Sequence, residues 1–474
     1  MATHSTPATL STSRSRLPVM RRVPLSLGFV AWAMFALSPP VSAQEKDTGW
    51  KVGLAQVKIT PSLPLPMSGY GSRTKPFEKV AGDLYVKAMV LEDAQGRRGV
   101  LVTSDLLGLS AEVAEPICER LAKKTGLKRE QILLNASHTH AGPALRLQPP
   151  AKAEAGGEAL RSIEYTRKLQ DQIVAVVIDA LGQLEPSRLS WGSGVVDFVM
   201  NRREFTPGGI ILGVNPRGLA DRTVPVMRVE GADGKLRAVL FGAAVHGTTL
   251  GADNYALCGD YAGFAQAVIE ERYPKVQAMF LIGCAGDANP YPRGTMEMTR
   301  KHGKTLADEV CRVLEGKLRP VRGPLTIAFE RAAVPLAPPP SRDELQKLAA
   351  DKRSPKTWAA GQMLAALDRG EKLPTEYPCP LTVWQFGRDL TLVGLSGEVV
   401  VDYVPALEKA LGPHQLWLAG YCNDVFGYLP SARVAAEGGY ETRGLYAGGA
   451  GFFDARAEQV VIQAVATLAK RAGR

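Results

Sequence analysis

Histidine is scarce in this 474-residue chain, six in all, so the placing of each one carries information. Cysteine is as sparse: Cys118, Cys258, Cys284, Cys311, Cys379 and Cys422, with no two at CxxC spacing. That argues against a zinc site of clustered thiolates. Runs of basic residues interleaved with aromatics are missing, which argues against a nucleic-acid partner. There is no internal repeat and no long low-complexity linker to mark a domain boundary. What remains is ordinary for a globular protein, with 45% hydrophobic and 22% charged residues, and the length suffices for a large core.

The N-terminal region carries a secretory pattern. Met20-Arg21-Arg22 precedes an apolar run over residues 25–37 and then Val41-Ser42-Ala43, the n-region, h-region and small-residue cleavage site of a signal peptide. The run falls short of the roughly 20 residues of a membrane span. We read residues 1–43 as a signal peptide, with Met20 as its true start. Cleavage after Ala43 would remove Arg14, Arg16, Arg21 and Arg22 and no acid, lowering the formal charge from +10 to +6. The expected location is the periplasm or the extracellular space. An even cysteine count in an exported chain permits disulfides, and buried free thiols satisfy the same sequence.

Periodicity predicts strands over residues 50–60, 85–93 and 99–104, a helix over 111–125 with Ser110 as N-cap, and a strand over 131–136. A long helix over 162–184 and strands over 188–200 and 224–245 follow, the latter turning at Gly231-Ala232-Asp233-Gly234. Helices over 263–272, 296–316, 342–352, 357–369, 400–411 and 456–471 alternate irregularly with strands at 278–283, 381–396 and 415–420. Without strict βαβ alternation, this predicts an α+β or mixed α/β fold, one large domain of mixed sheets flanked by helices.

The chemistry concentrates at Ser137-His138-Thr139-His140-Ala141-Gly142-Pro143, directly after an apolar strand. Residues two apart in extended chain share a face, so both imidazoles would leave the strand side by side. Neutral imidazole is the commonest protein metal ligand. His246 ends a second apolar strand and Glu398 a third. A lone strand-end histidine is more often a satisfied structural group, and a carboxylate there more often favours the next helix N-terminus; zinc commonly takes both. His302, within Lys301-His302-Gly303-Lys304, and His414, after Gly412-Pro413, read as solvated surface residues. Asp105 reads as a turn cap or as an acceptor orienting a ligand histidine. The pair lacks the Asp-His of HxHxDH hydrolases, and the chain lacks the alternation of amidohydrolase barrels.

Ser137–Pro143 resembles the THTHSGP-type motif of the neutral (non-lysosomal, neutral/alkaline) ceramidase family, in its catalytic N-terminal domain. Met67-Ser68-Gly69-Tyr70 resembles that family's MMGY, Leu84-Tyr85-Val86-Lys87-Ala88 its LYARA, and Asn201-Arg202-Arg203 its NRSP. Ala244-Val245-His246-Gly247-Thr248 resembles PVHxTS, Ser396-Gly397-Glu398-Val399 resembles PGEFT, Asn423–Tyr428 resembles NxYxxY, and Tyr440-Glu441 resembles RYEG. The order of these segments, over residues 50–470, carries the specificity. Two departures stand out. Asn289, in Gly286-Asp287-Ala288-Asn289-Pro290, occupies the place of a family serine proposed to take part in catalysis, and the chain stops at Arg474, where the family continues into an immunoglobulin-like domain.

The resemblance implies that residues 44–474 form a zinc hydrolase domain with one catalytic Zn2+, held by His138, His246, Glu398 and Tyr428. It places His140, Arg202 and Tyr440 beside the metal, His140 to handle a proton and the other two to stabilise an oxyanion. The implied reaction is hydrolysis of an N-acyl amide bond, N-acylsphingosine or related, by a zinc-activated water. The expected partners are a small amphipathic or lipid N-acyl amide and, peripherally, a membrane surface. Two alternatives stay open: a zinc hydrolase of another, soluble amide or ester, and a binding protein that kept the fold without the chemistry.

Overall fold

The strand expected before the histidine pair, Ile132–Ala136, is buried at every position, as befits a strand paired in parallel with Arg98–Ser104 and covered on both faces. The computed structural model describes residues 49–149 and 157–474, so the signal-peptide pattern lies outside the described residues. The described residues form one compact unit. Among the described residues no helix is long and apolar enough to cross a membrane.

The main sheet runs in the order Gln277–Ile282, Leu236–Ala243, Thr223–Gly231, Glu185–Val195, Trp50–Lys58, Tyr85–Asp93, Arg98–Ser104, Ile132–Ala136, with Arg319–Val321 added beside Glu185–Val195. Its centre is antiparallel and its two outermost pairs are parallel. A second sheet comprises Leu325–Pro335, Glu376–Phe386, Leu390–Leu395 and Leu416–Ala419.

Strand alternation decides what each face meets. Val86, Ala88, Val100, Val102, Ile132 and Leu134 point to the helices Ala111–Thr125 and Glu158–Leu181. Met89, Leu91, Leu101 and Leu133 point the other way, onto Trp384, Phe386, Leu390 and Leu392 of the second sheet. Val383, Val393 and Leu395 then face the helix Ala457–Ala472 through Val461, Val465 and Leu468. The result is four layers, helix, sheet, sheet, helix, in which both sheets are buried on both sides. The mixed α/β class expected from the sequence is observed.

Several local expectations change. The strand expected over 188–200 is two, Glu185–Val195 and Val199–Thr206, and the second pairs with Gly209–Asn215 in a separate small sheet with Ala288–Pro290. Leu325–Pro335 was not anticipated. Ser110 sits at the N-cap without a side-chain cap bond; instead Asp424 Oδ1 accepts from the Ala111 amide at 2.9 Å. All six cysteines are buried free thiols. His302 is buried, stacked on Phe198 at 4.6 Å with its Nε2 2.6 Å from the Pro292 carbonyl.

Two interior carboxyls give the fold a pH signature. Burial pushes Asp287 and Asp424 each up to about 6, although Asp287 accepts from Val401 N and Asn201 Nδ2 and Asp424 from Ala111 N and the Tyr377 hydroxyl. A carboxyl raised above its unfolded value of about 3.9 stabilises fully below that value and loses the contribution as pH rises through about 6. Resistance to urea is therefore expected to increase from pH 7.5 to pH 5, and Asp424→Asn to flatten that rise; an unchanged slope in the variant would contradict the assignment.

Candidate metal centre

Three chain segments meet where strands end. The Ile132–Ala136 strand leads into His138, and Leu236–Ala243 leads into His246. The segments beyond these strands touch directly, with Thr139 and Gly247 in a parallel bridge and the His140 amide donating to the Gly247 carbonyl at 2.9 Å. From the second sheet, Leu390–Leu395 leads through Gly397, at φ 78°, into Glu398, which pairs with Tyr428 in a short parallel ladder. A Cβ on Gly397 would lie 2.7 Å from the Phe426 ring, so glycine is required there.

His138 itself departs from the expected extended pattern. Its φ is +58°, a left-handed conformation rare outside glycine, of the kind that clusters at functional sites. The two rings still meet, with Nε2 of His140 3.2 Å from Nε2 of His138, but a turn rather than strand alternation brings them together.

Nitrogens of His138, His140 and His246 all lie within 4.8 Å of one another, a group that could hold a metal ion. The hydrogen bonds on the far side of each ring separate their roles. His138 Nδ1 lies 2.6 Å from the Leu107 carbonyl and His246 Nδ1 2.6 Å from the Ala285 carbonyl. A carbonyl only accepts, so these nitrogens carry the protons and turn each Nε2 inward, the usual way a ligand imidazole is oriented. Glu398 Oε2 then sits 3.1 Å from His138 Nε2 and 3.0 Å from His246 Nε2. His140 Nδ1 is buried with no partner, so nothing fixes that ring as a ligand.

Electrostatics sharpen the picture. Burial, with the Arg202 charge adding to it, pushes His246 down to about 3. Burial and the two neighbouring imidazoles hold His140 well below its ordinary value. Burial opposes ionisation of Glu398, but the facing imidazoles hold it well below the usual carboxylate range. An ionised Glu398 carboxylate thus faces a neutral His246. Its lone pair and the carboxylate then converge without a proton between them, which a cation would resolve. The donor set of imidazole nitrogens and one carboxylate suits zinc.

The remaining expected residues line the same place. The Tyr428 hydroxyl is 3.5 Å from His246 Nε2 and accepts from Arg202 Nη2 at 3.0 Å. Arg202 is buried, its Nε donating to Glu441 at 2.9 Å. Tyr440 packs edge-on against Tyr428 with ring centroids 5.6 Å apart, and its hydroxyl accepts from Arg443. A cavity of about 350 Å³ opens onto His140, Arg202, Tyr428 and Tyr440 and is walled by Met200, Leu212, Val214 and Tyr291. The 67–70 segment caps His140: a Cβ on Gly69, at φ 95°, would fall 2.5 Å from its Nδ1.

Asp105 does not orient a histidine. It accepts from the Tyr85 amide and from Gln266, and backbone carbonyls take the orienting role. Sequence reasoning missed Tyr446, which donates to Glu398 Oε1 at 2.8 Å, and Tyr421, whose ring lies 4.5 Å from that of His138. It also missed Glu441, which bonds both Arg202 and Arg203. Only the acid beside Tyr440 had any motif signal.

Comparison with known proteins addresses the family and the fold. The family model for neutral/alkaline non-lysosomal ceramidase, N-terminal, matches residues 50–333. The chain is 23% identical over 267 residues to neutral ceramidase A of Dictyostelium discoideum, covering 52% of this chain and 35% of that protein. It is 25% identical over 276 residues to neutral ceramidase B of the same organism, covering 52% and 36%. The chain thus spans about a third of the length of these relatives. Its fold is similar to the crystal structure of neutral ceramidase from Pseudomonas aeruginosa, with TM-score 0.68 and 21% identity over 89% of this chain and 74% of that one. With the family model matching more than half of its length, the chain belongs to the neutral/alkaline non-lysosomal ceramidase family.

Proposed function

We propose that this protein is an exported zinc amidohydrolase that cleaves the N-acyl amide bond of ceramide-like lipids, its hydrolase domain comprising residues 44–474. The observation that carries the reading is the convergence of His138, His246 and Glu398 beside a cavity with apolar walls. Leu212, Val214 and Tyr291 are 49%, 40% and 47% exposed, a wall suited to a substrate with a hydrocarbon part.

His138, His246 and Glu398 would hold the zinc, with Tyr428 at the edge of the set. When bound, zinc polarises a carbonyl and brings the pKa of water to about 7. The chain's own residues do the rest. His140, neutral and unanchored at Nδ1, accepts a proton at Nε2 and returns it to the departing amine nitrogen. Arg202, held by Glu441 and Tyr428, and Tyr440 face the oxygen on which negative charge develops. Removing one such donor commonly lowers turnover by about 10²–10³. Tyr446 holds the Glu398 carboxylate in place. Tyr446→Phe is therefore expected to weaken zinc binding by about 10–100-fold in a chelator competition, without loss of fold by circular dichroism.

The test is an assay of the purified protein on N-acylsphingosine, short soluble N-acyl amides and esters, before and after a chelator and after zinc is restored. Zinc-dependent release of fatty acid from N-acylsphingosine supports the reading. Cleavage of soluble substrates alone would move the substrate class, and metal-independent or absent turnover would overturn it.

A further inference from the structure

One polar group in the cavity points at nothing in the protein. Asn289 lies on the Ala288–Pro290 strand, paired through Met200 with the strand that carries Arg202. Its Oδ1 accepts from Thr248 Oγ1 at 3.0 Å and from Arg202 Nη1 at 3.3 Å. A guanidinium can only donate, so the atom facing Arg202 is the oxygen, and the amide orientation is assigned on that ground. The amino group, Nδ2, is thereby turned away from both partners.

Four of the five other asparagines among the described residues spend this donor on the backbone, and Asn423 leaves it unpaired but fully buried. Asn135, Asn201, Asn215 and Asn254 each give Nδ2 to a carbonyl, of Gly420, Leu219, Arg203 and Ala256 respectively. Among the described residues no acceptor meets Nδ2 of Asn289, and it is not among the fully buried unpaired atoms. The residue lines the cavity with His140, Arg202 and Tyr428. Its donor therefore opens into the space where a substrate would sit.

We infer that Asn289 is a substrate-binding residue whose Nδ2 donates to an uncharged oxygen, a hydroxyl or a carbonyl, close to the bond that is cut. A neutral carboxamide offers a hydrogen bond without net charge, and the adjacent guanidinium is already matched by Glu441. Thr248 is then a positioning residue that holds the carboxamide by its oxygen. The inference rests on the amide-hydrolase reading and goes beyond it by assigning a recognition contact.

The probe is a non-hydrolysable sulfonamide analogue of a short N-acyl amino alcohol, with and without its hydroxyl, bound to the zinc-loaded protein and followed by calorimetry. Asn289→Ala should weaken binding about fivefold to tenfold, the scale of one lost hydrogen bond, with zinc content unchanged. Thr248→Val should weaken it less, and not further in the Asn289→Ala background. Loss confined to the hydroxyl-bearing probe identifies a hydroxyl as the acceptor; equal loss on both identifies the sulfonyl oxygen that stands in for the carbonyl. Parent-like binding by Asn289→Ala, or a full Thr248→Val effect in that background, would overturn the inference alone. Failure of the parent protein to bind either probe would overturn the amide reading and this inference together.

Discussion

His246→Ala is expected to empty the metal site and to lower hydrolysis of an N-acyl amide by about 10³-fold or more, beyond the 10²–10³ typical of losing a single oxyanion donor. The ring is fully buried, its Nδ1 is fixed by the Ala285 carbonyl and its Nε2 faces Glu398. Alanine removes one donor, leaves Glu398 with one imidazole and strands a buried carbonyl. Metal analysis of the purified variant should show loss of the roughly one equivalent of zinc expected of a single site. His302 supplies the control. It too is buried and hydrogen-bonded through Nε2, but to the Pro292 backbone carbonyl and not to a carboxylate. His302→Gln should cost stability and keep the zinc. If His246→Ala retained a full equivalent of zinc, the donor set would be wrong; if both variants lost it, metal retention would be reporting only on folding.

The second large effect concerns stability. Glu441 is fully buried and accepts from Arg202 Nε at 2.9 Å and Arg203 Nη1 at 2.5 Å. Two guanidiniums thus share one carboxylate in a dry interior. Burial of charges is tolerable only while each is matched, and removing one partner of a buried pair typically costs about 3–5 kcal/mol. Glu441→Leu is expected to fall in that range by chemical denaturation. Arg203 keeps Glu437 and the Gly438 carbonyl, so the heavier loss falls on Arg202, which would slacken toward Tyr428 and Asn289 and lower turnover as well. Adding Arg202→Leu should recover part of the stability, since it removes the charge left without its carboxylate. A fall below about 1 kcal/mol, the scale of an exposed ion pair, would show that water reaches the cluster.

The contrast between these two regions shows where sequence speaks. Strands such as Ile132–Ala136 announce themselves because burial on both faces demands a nearly continuous apolar run, here interrupted only by Asn135. Leu325–Pro335 stayed hidden because it has Glu330 and Arg331 beside small alanines, with burial that follows no clean alternation. His302 was misread from its charged neighbours, whereas a helix sorts residues by spacings of three and four: Thr299, His302, Leu306 and Val310 all turn inward while Lys301 and Lys304 remain outside. Motif order located the histidines, Glu398, Arg202, Tyr428 and Tyr440, and all of them line one place. Tyr446, Tyr421 and the free Nδ2 of Asn289 were not legible, because each owes its role to a partner brought near by tertiary packing alone.

The meeting of three strand ends also bears on how the molecule acquires its chemistry. His246 and Glu398 are 152 residues apart in the chain, and His138 reaches the same carboxylate from the far edge of the main sheet. Contacts this distant in sequence form late, after loop closure has been overcome. A partial structure lacking any one of the three strand ends would not present the completed donor set. A metal held there would bind the finished protein and leave the folding transition state unaided, so it would slow unfolding while barely changing the folding rate. The centre would act as kinetic insurance for a chain that has already folded, not as a template on which it folds.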